Sequence, residues 1–290
     1  MTERSPAEGT PDSESPVEGA KPDRVVVDDF TRTYGGVPVL NSVSLVFEPG
    51  LTAVIGPNGS GKSTLLGALA GTVLPTTGQV QPPIAEDGGR KSIGYLPQQV
   101  PFREGFTARE TLAFYARLVD GDPDAALASV GLSDAADKPV EDLSGGMQRL
   151  LGIAQAMLGD PPLVVLDEPA SGLDPGMRER AFRTAATNVT DGKTVVVSTH
   201  NLDLVDAHAD RVVMLVRGRV AVAGDLDALR DEYDVDTTAA LYEAAGRDIT
   251  LFRTDDDADP ARSGAAAEDE RNGPGDDGDR DVHVTGVSER

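Results

Sequence analysis

Between two polar ends, residues 23–253 alternate short runs of β-branched and aliphatic residues with longer stretches of helical spacing, punctuated by Gly and Pro. That alternation predicts an α/β domain. Val25 to Val27, Val39 to Phe47 and Leu51 to Ile55 read as early strands, with Glu48-Pro49-Gly50 as a turn between the last two. Ser92 to Leu96, Leu163 to Leu166, Thr194 to Thr199 and Arg211 to Val216 read as later ones. The runs at Leu163 and Val195 do not alternate, the pattern of parallel strands covered on both faces. From Gln98 to about Asp142 no good strand appears, and within Thr107 to Leu118 the residues Leu112, Tyr115 and Leu118 or Val119 fall on helical spacing. This predicts a small helical insertion. The polar ends, residues 1–22 and 254–290, read as disordered acidic segments.

The apolar runs are strand-sized and none approaches the roughly 20 residues that a membrane helix needs, so the chain is not expected to cross a bilayer itself. Residues 1–21 have no basic patch followed by an apolar core, and so do not read as a signal peptide.

Charge narrows the partners. The 290 residues carry 26 Lys+Arg against 49 Asp+Glu, a formal net charge of −23, which disfavours binding to nucleic-acid phosphate by bulk attraction. With no cysteine, a disulfide framework, a thiolate metal site and a cysteine nucleophile are all excluded. Lysine is confined to Lys21, Lys62, Lys91, Lys138 and Lys193, while Asp is abundant both in the tail (Asp255, Asp256, Asp257, Asp276, Asp277) and through the folded region. Strongly hydrated carboxylates whose repulsion is screened by salt predict a salt-adapted protein.

The chemistry begins at Gly56-Pro57-Asn58-Gly59-Ser60-Gly61-Lys62-Ser63, which fits G-x-x-x-x-G-K-[ST] between an apolar strand and a helical stretch, Ser63 to Ala70. The glycines let backbone N–H groups curl around phosphate oxygens and the helix N-terminus adds positive potential. Lys62 reaches the β- and γ-phosphates and Ser63 ligates Mg²⁺. Binding of a nucleoside triphosphate follows, although kinases, GTPases and motors share this loop.

Two further segments narrow the choice. Leu163-Val164-Val165-Leu166-Asp167-Glu168-Pro169 is a buried strand ending in adjacent acids. Asp167 can face Mg²⁺, directly or through water, and Glu168 can face the attacking water as general base. Leu143-Ser144-Gly145-Gly146-Met147-Gln148 precedes a helical stretch, Gln148 to Leu158, so that a hydroxyl and two glycine N–H groups form a second anion cradle. One γ-phosphate does not need two cradles on one subunit.

These segments, in this order, resemble the ATP-binding subunit of an ABC transporter over about residues 24–225. The resemblance implies a P-loop NTPase fold of ABC type, with a mixed sheet core, an antiparallel β subdomain and a small α-helical subdomain at about residues 99–160. It implies that Gly56 to Thr64 is the Walker A loop, Leu163 to Asp167 the Walker B strand and Glu168 the catalytic carboxylate. The signature segment departs from the usual pattern only at Met147, where the family usually has Gln; Ser144, Gly145 and Gly146 are intact. Gln98, with Gln99 as competitor, resembles the Q-loop glutamine that senses Mg²⁺ and the membrane partner. Ser171-Gly172-Leu173-Asp174 resembles the D-loop, His200 the switch histidine at the γ-phosphate, and Tyr34 the aromatic that stacks on adenine. His208 and His283 have no assigned role.

The family further implies ATP and Mg²⁺ as cofactors, and a sandwich dimer, of two copies or two paralogues, in which each signature segment meets the other subunit's phosphate loop. It also implies an integral membrane permease subunit, and hence a place on the cytoplasmic face of the cell membrane. Phe102, Phe106, Phe114 and Tyr115 fall where the family docks that permease, although Phe114 and Tyr115 are equally suited to core packing. The short helical insertion and the segment Gly152 to Pro161 resemble exporter-type (ABC-2) subunits more than sugar importers. The cargo stays open, and a soluble ABC ATPase without a membrane partner, as in iron–sulfur assembly, is the alternative.

Overall fold

A computed structural model describes residues 24–83, 93–187, 189 and 192–251. The end segments 1–22 and 254–290, with their Asp cluster and His283, lie outside the described residues, as does Ser92 at the start of one expected strand. Strands β1 (Val25–Tyr34), β2 (Val37–Phe47) and β4 (Thr77–Gln81) form an antiparallel sheet in the order β2-β1-β4. A second sheet has the order β5-β6-β7-β3-β8-β9. In it β5 (Ile93–Leu96), β6 (Leu163–Leu166), β7 (Thr194–Ser198), β3 (Gly50–Ile55) and β8 (Arg211–Val216) are parallel, and β9 (Arg219–Asp225) runs against β8. This is the expected mixed sheet with an antiparallel subdomain.

The central strands β3, β6 and β7 are buried at every position, because both faces of the sheet are covered. Their side chains alternate between the cores on the two faces of the sheet. Val195 and Val197 pack into a core shared with the helices that follow β5 and β6, and Val196 into one shared with the antiparallel sheet and α1 (Lys62–Leu69). A third core joins Ala53, Ile55, Val212 and Met214 to α6 (Leu202–His208), α7 (Leu226–Tyr233) and α8 (Thr238–Leu251).

The stretch after β5 is helical. In α2 (Ala108–Val119) a capping box between Thr107 and Glu110 satisfies the first amides. Leu112 is fully buried, Leu118 is exposed and Val119 packs against the core, which settles the choice between the last two. Pro123 opens α3 (Pro123–Ser129), where its missing N–H is harmless and Asp122 caps the amides behind it. The helix expected from Gln148 begins three residues earlier, as α4 (Gly145–Met157), because the Ser144 hydroxyl accepts from the Met147 amide and so offsets two poor helix formers, Gly145 and Gly146. After β6, α5 (Pro175–Thr187) leads to β7.

Strand β1 extends seven residues beyond Val27, and β4 and β9 were not expected. Each shows one face to solvent and carries polar residues or glycine, so that its apolar signal is thin. The expected strand Thr194–Thr199 ends at Ser198. Among the described residues no helix is long and apolar enough to cross a membrane.

Candidate active site

Leu96, Leu166, Ser198 and Ile55, the last residues of β5, β6, β7 and β3, deliver their loops to one edge of the parallel sheet. Ligands of open α/β sheets bind at this carboxyl edge. A cleft of about 770 Å³ opens there. Its floor is Gly56, Pro57, Asn58, Gly59, Gly61, Lys62, Ser63 and Thr64, and its other wall holds Gln98, Glu168 and His200. Gln98 lines it and Gln99 does not.

Glycine is required at two loop positions. Gly56 has φ +147°, and a Cβ there would lie 2.2 Å from the Leu215 carbonyl oxygen; Gly61 has φ +104°, and its Cβ would lie 2.6 Å from Leu40 Cδ2. The loop therefore approaches β8 and β2 more closely than any side chain permits. Inside it, Lys62 Nζ donates to the carbonyls of Gly56 at 2.8 Å and Pro57 at 3.1 Å. Burial pushes the Lys62 ammonium below the usual lysine range, and the carboxylates of Glu168 and Asp167 pull it back up. Ser60 is buried under the loop, and its Oγ lacks a hydrogen-bond partner in the protein.

The two acids occupy different surroundings. Asp167 is almost fully buried behind the cleft wall, and the Ser198 hydroxyl donates to its Oδ1 at 2.6 Å. The same hydroxyl accepts from the Glu168 amide at 2.8 Å, so one serine of β7 orients both residues at the end of β6. Glu168 has φ +49°, a left-handed backbone that turns the chain off the strand and puts its carboxylate in the cleft. His200 Nδ1 lies 3.8 Å from Glu168 Oε1, with a largely exposed ring.

Sequence reasoning passed over Arg149. From α4 its Nη1 donates to the carbonyls of Pro97 and Gln98, both at 2.9 Å, and its Nη2 to the Glu168 carbonyl at 2.9 Å and to that of Asp167. A single buried guanidinium thus ties the helix that starts at Ser144 to the glutamine loop and to the acidic strand end. Burial lowers its pKa, and the nearby carboxylates of Asp167 and Glu168 oppose that. The available signal was an arginine inside a run of apolar helix positions, which must find partners for its charge. Val39, Thr199, Leu202 and Tyr242 also line the cleft without having been singled out.

Five of the expected contact residues lie elsewhere on this chain. Ser144 and Gly145 are exposed at the start of α4, Gly146 is half-buried beside Met177, and none of them lines the cleft. Asp174 is exposed and caps α5 by accepting from the Met177 amide at 3.0 Å. Tyr34 also stands outside the cleft lining, with the Arg32 guanidinium carbon 4.5 Å from its ring centroid.

The donor set suits a phosphate-bound hard cation. Ser63 hydroxyl, Gln98 amide oxygen and Asp167 carboxylate would offer oxygen donors, while among the described residues no group of three or more His, Cys, Asp or Glu forms a metal cage. Mg²⁺ is usually held in this way, by few carboxylates together with substrate phosphates.

Residues 40–171 match the family model described as ABC transporter. The chain is 35% identical over 230 residues to the Nod factor export ATP-binding protein I of Rhizobium meliloti (strain 1021), covering 74% of this chain and 69% of that one. The chain belongs to the ABC transporter ATP-binding proteins. A solved ATP-binding subunit of an ABC transporter superposes with TM-score 0.68 at 26% identity, over 77% of this chain and 99% of that one. A dimeric ATP-binding cassette in a post-hydrolysis state, bound to ADP and phosphate, superposes with TM-score 0.62 at 28% identity, over 70% of this chain and 98% of that one. Accordingly this ABC subunit binds ATP, hydrolyses it to ADP and phosphate, and energises transport through a membrane partner. The soluble alternative loses ground, since these relatives are transport proteins.

Proposed function

We propose that the subunit powers export by closing as a head-to-tail dimer around two ATP·Mg²⁺ and reopening after hydrolysis. The convergence of the Gly56–Thr64 loop, Gln98, Glu168 and His200 on one cleft carries this reading. The loop amides and Lys62 would hold the phosphates, Ser63, Gln98 and Asp167 would hold Mg²⁺, and Tyr34 would stack on adenine. Bound there, Mg²⁺ would supply charge neutralisation for the triphosphate. Glu168 takes the proton of the attacking water, and His200, beside it, meets the γ-phosphate side. Ser144, Gly145 and Asp174 are exposed and Gly146 is half-buried, all outside their own chain's cleft, which suits residues that serve the partner's cleft.

The membrane permease docks on the aromatic hollow of the helical region. A groove of about 120 Å³ is lined there by Phe102, Phe106, Phe114 and Tyr115 among others. Phe114 is 55% exposed and meets Tyr115 edge to face, at 5.2 Å between centroids, so it is available to a partner where Tyr115 is largely committed to the core. Docked in this way, the subunit sits on the cytoplasmic face of the membrane. Export is favoured by the likeness to the Nod factor export protein. The acidic, lysine-poor surface suits molar salt, and melting temperature is expected to rise from low to molar KCl.

Because the chain has no cysteine, the dimer can be tested with introduced ones. Asn58 is exposed, and a Cβ at Gly145 meets no heavy atom within 4 Å, so both accept a substitution. With a nonhydrolysable ATP analogue and Mg²⁺, copies carrying Asn58→Cys are expected to crosslink to copies carrying Gly145→Cys. Crosslinking that ignores nucleotide, or its absence, would overturn the head-to-tail arrangement.

A further inference from the structure

Helix α8 follows all of the recognisable motifs, yet it is built into the site. Its first residue, Thr238, is fully buried, and the Asp206 carboxylate accepts from the Thr238 amide at 2.8 Å and from the Thr238 hydroxyl. Arg230 Nη2 donates to the same carboxylate oxygen at 2.6 Å. Asp206 sits on α6, whose first residue, Leu202, lines the cleft two positions after His200. One helical turn beyond Thr238, Tyr242 lines the cleft as well. Its neighbours Leu241 and Ala245 are buried in the core that also holds Ile55, the residue immediately before the phosphate loop. Two attachments, one polar and one apolar, thus fix α8 to the elements that present His200 and Gly56.

A tyrosine on such a wall brings an apolar ring and a polar tip, suited to excluding water while still meeting a phosphate or its hydration shell. We infer that Tyr242 contacts the bound nucleoside triphosphate, making α8 a wall of the ATP site whose docking is coupled to nucleotide occupancy. The inference rests on reading the cleft as the ATP site. By linkage, ATP that favours docked α8 must itself bind less tightly when α8 is loosened.

The chain contains no tryptophan, so a single introduced one reports from its own position alone. In a Glu168→Gln background, which holds ATP without turnover, Tyr242→Trp is expected to change its emission on titration with ATP·Mg²⁺. The midpoint should match the dissociation constant from equilibrium dialysis, and the exposed control Leu74→Trp should stay silent. Tyr242→Ala should weaken ATP binding severalfold, and Tyr242→Phe should keep the part owed to the ring. As a check that needs no substitution, hydrogen exchange of the wild-type chain should slow in residues 238–246 when a nonhydrolysable ATP analogue binds. Dialysis that shows bound ATP while the emission of the Tyr242→Trp variant and α8 exchange both stay unchanged would overturn the inference and leave the ATP site intact. Dialysis that shows no ATP binding to the wild-type chain would instead overturn the reading of the cleft, and the inference with it.

Discussion

The two glycine-rich helix starts of this chain share a composition and differ in build, the first a loop of left-handed glycines and the second a serine-capped helix whose glycines are helical. At Gly56–Ser63 the backbone turns around a volume that Lys62, Glu168 and His200 also face, with Ser198 and Arg149 fixing the wall from behind. At Ser144–Gly146 a helix start of similar composition faces outward, with none of its residues in the cleft. The first is a pocket and the second an exposed helix start. Local sequence chemistry can make an anion site in either case, but only the surrounding elements decide whether that site is filled from within the chain or by another molecule.

Breaking the first cradle has the largest expected effect. Glu168→Gln should reduce phosphate release by roughly 10²- to 10⁴-fold, the usual weight of a general base, while ATP binding and nucleotide-dependent dimers persist. Near-normal turnover would move the base elsewhere. Next comes the tie between the cradles. Arg149→Ala takes the guanidinium from four carbonyls, of which that of Glu168 keeps the Ser171 amide, and should lower stability by about 3 kcal/mol. Arg149→Lys should recover only part of this in denaturant melts, because an ammonium cannot fork to four acceptors.

Breaking the second cradle should separate the two regions most cleanly. Ser144→Ala removes the cap of α4, at a cost of about 1 kcal/mol. It should abolish ATP-dependent dimers on size exclusion while ATP binding to the single subunit is retained. Equal loss of both would merge the regions into one site.

The smallest effect concerns acid. Burial alone would raise the Asp206 carboxyl, but hydrogen bonds from Thr238 and Arg230 outweigh it and hold the group below the usual carboxylate range. Its contribution is therefore complete above the unfolded value, about 4, and is lost as pH falls through the lower folded value. Protection of α8 amides, taken relative to the intrinsic exchange rate at each pH, should fall across that acid window in the wild-type chain, and Asp206→Ala should remove the dependence.

How far the sequence reached follows from the kind of signal each part emits. Strands β3, β6, β7 and β8 were legible because both-sided or near-complete burial demands unbroken apolar runs. Exposed β4, with a single valine, gave no such run, and β9 offered only the short run Val220 to Ala223 between Arg219 and Gly224. The motif residues of the cleft were legible because glycine, lysine and paired acids at fixed spacing have few other uses. Ser198, Arg149 and Tyr242 are ordinary residues whose importance comes from what the fold sets beside them, across 30, 19 and more positions of chain. Ser198 in particular passed as the end of a strand, although its hydroxyl serves Asp167 and Glu168 together.

Lys62 gives the last lesson. Its ammonium is already engaged by the carbonyls of Gly56 and Pro57, so the curled loop braces itself in advance of any guest. An arriving phosphate must then swap partners with those carbonyls instead of meeting an idle cation, which trims the gain in affinity and spares the cost of ordering the coil. On the proposed reading, those carbonyls also give the ammonium partners to return to once phosphate leaves.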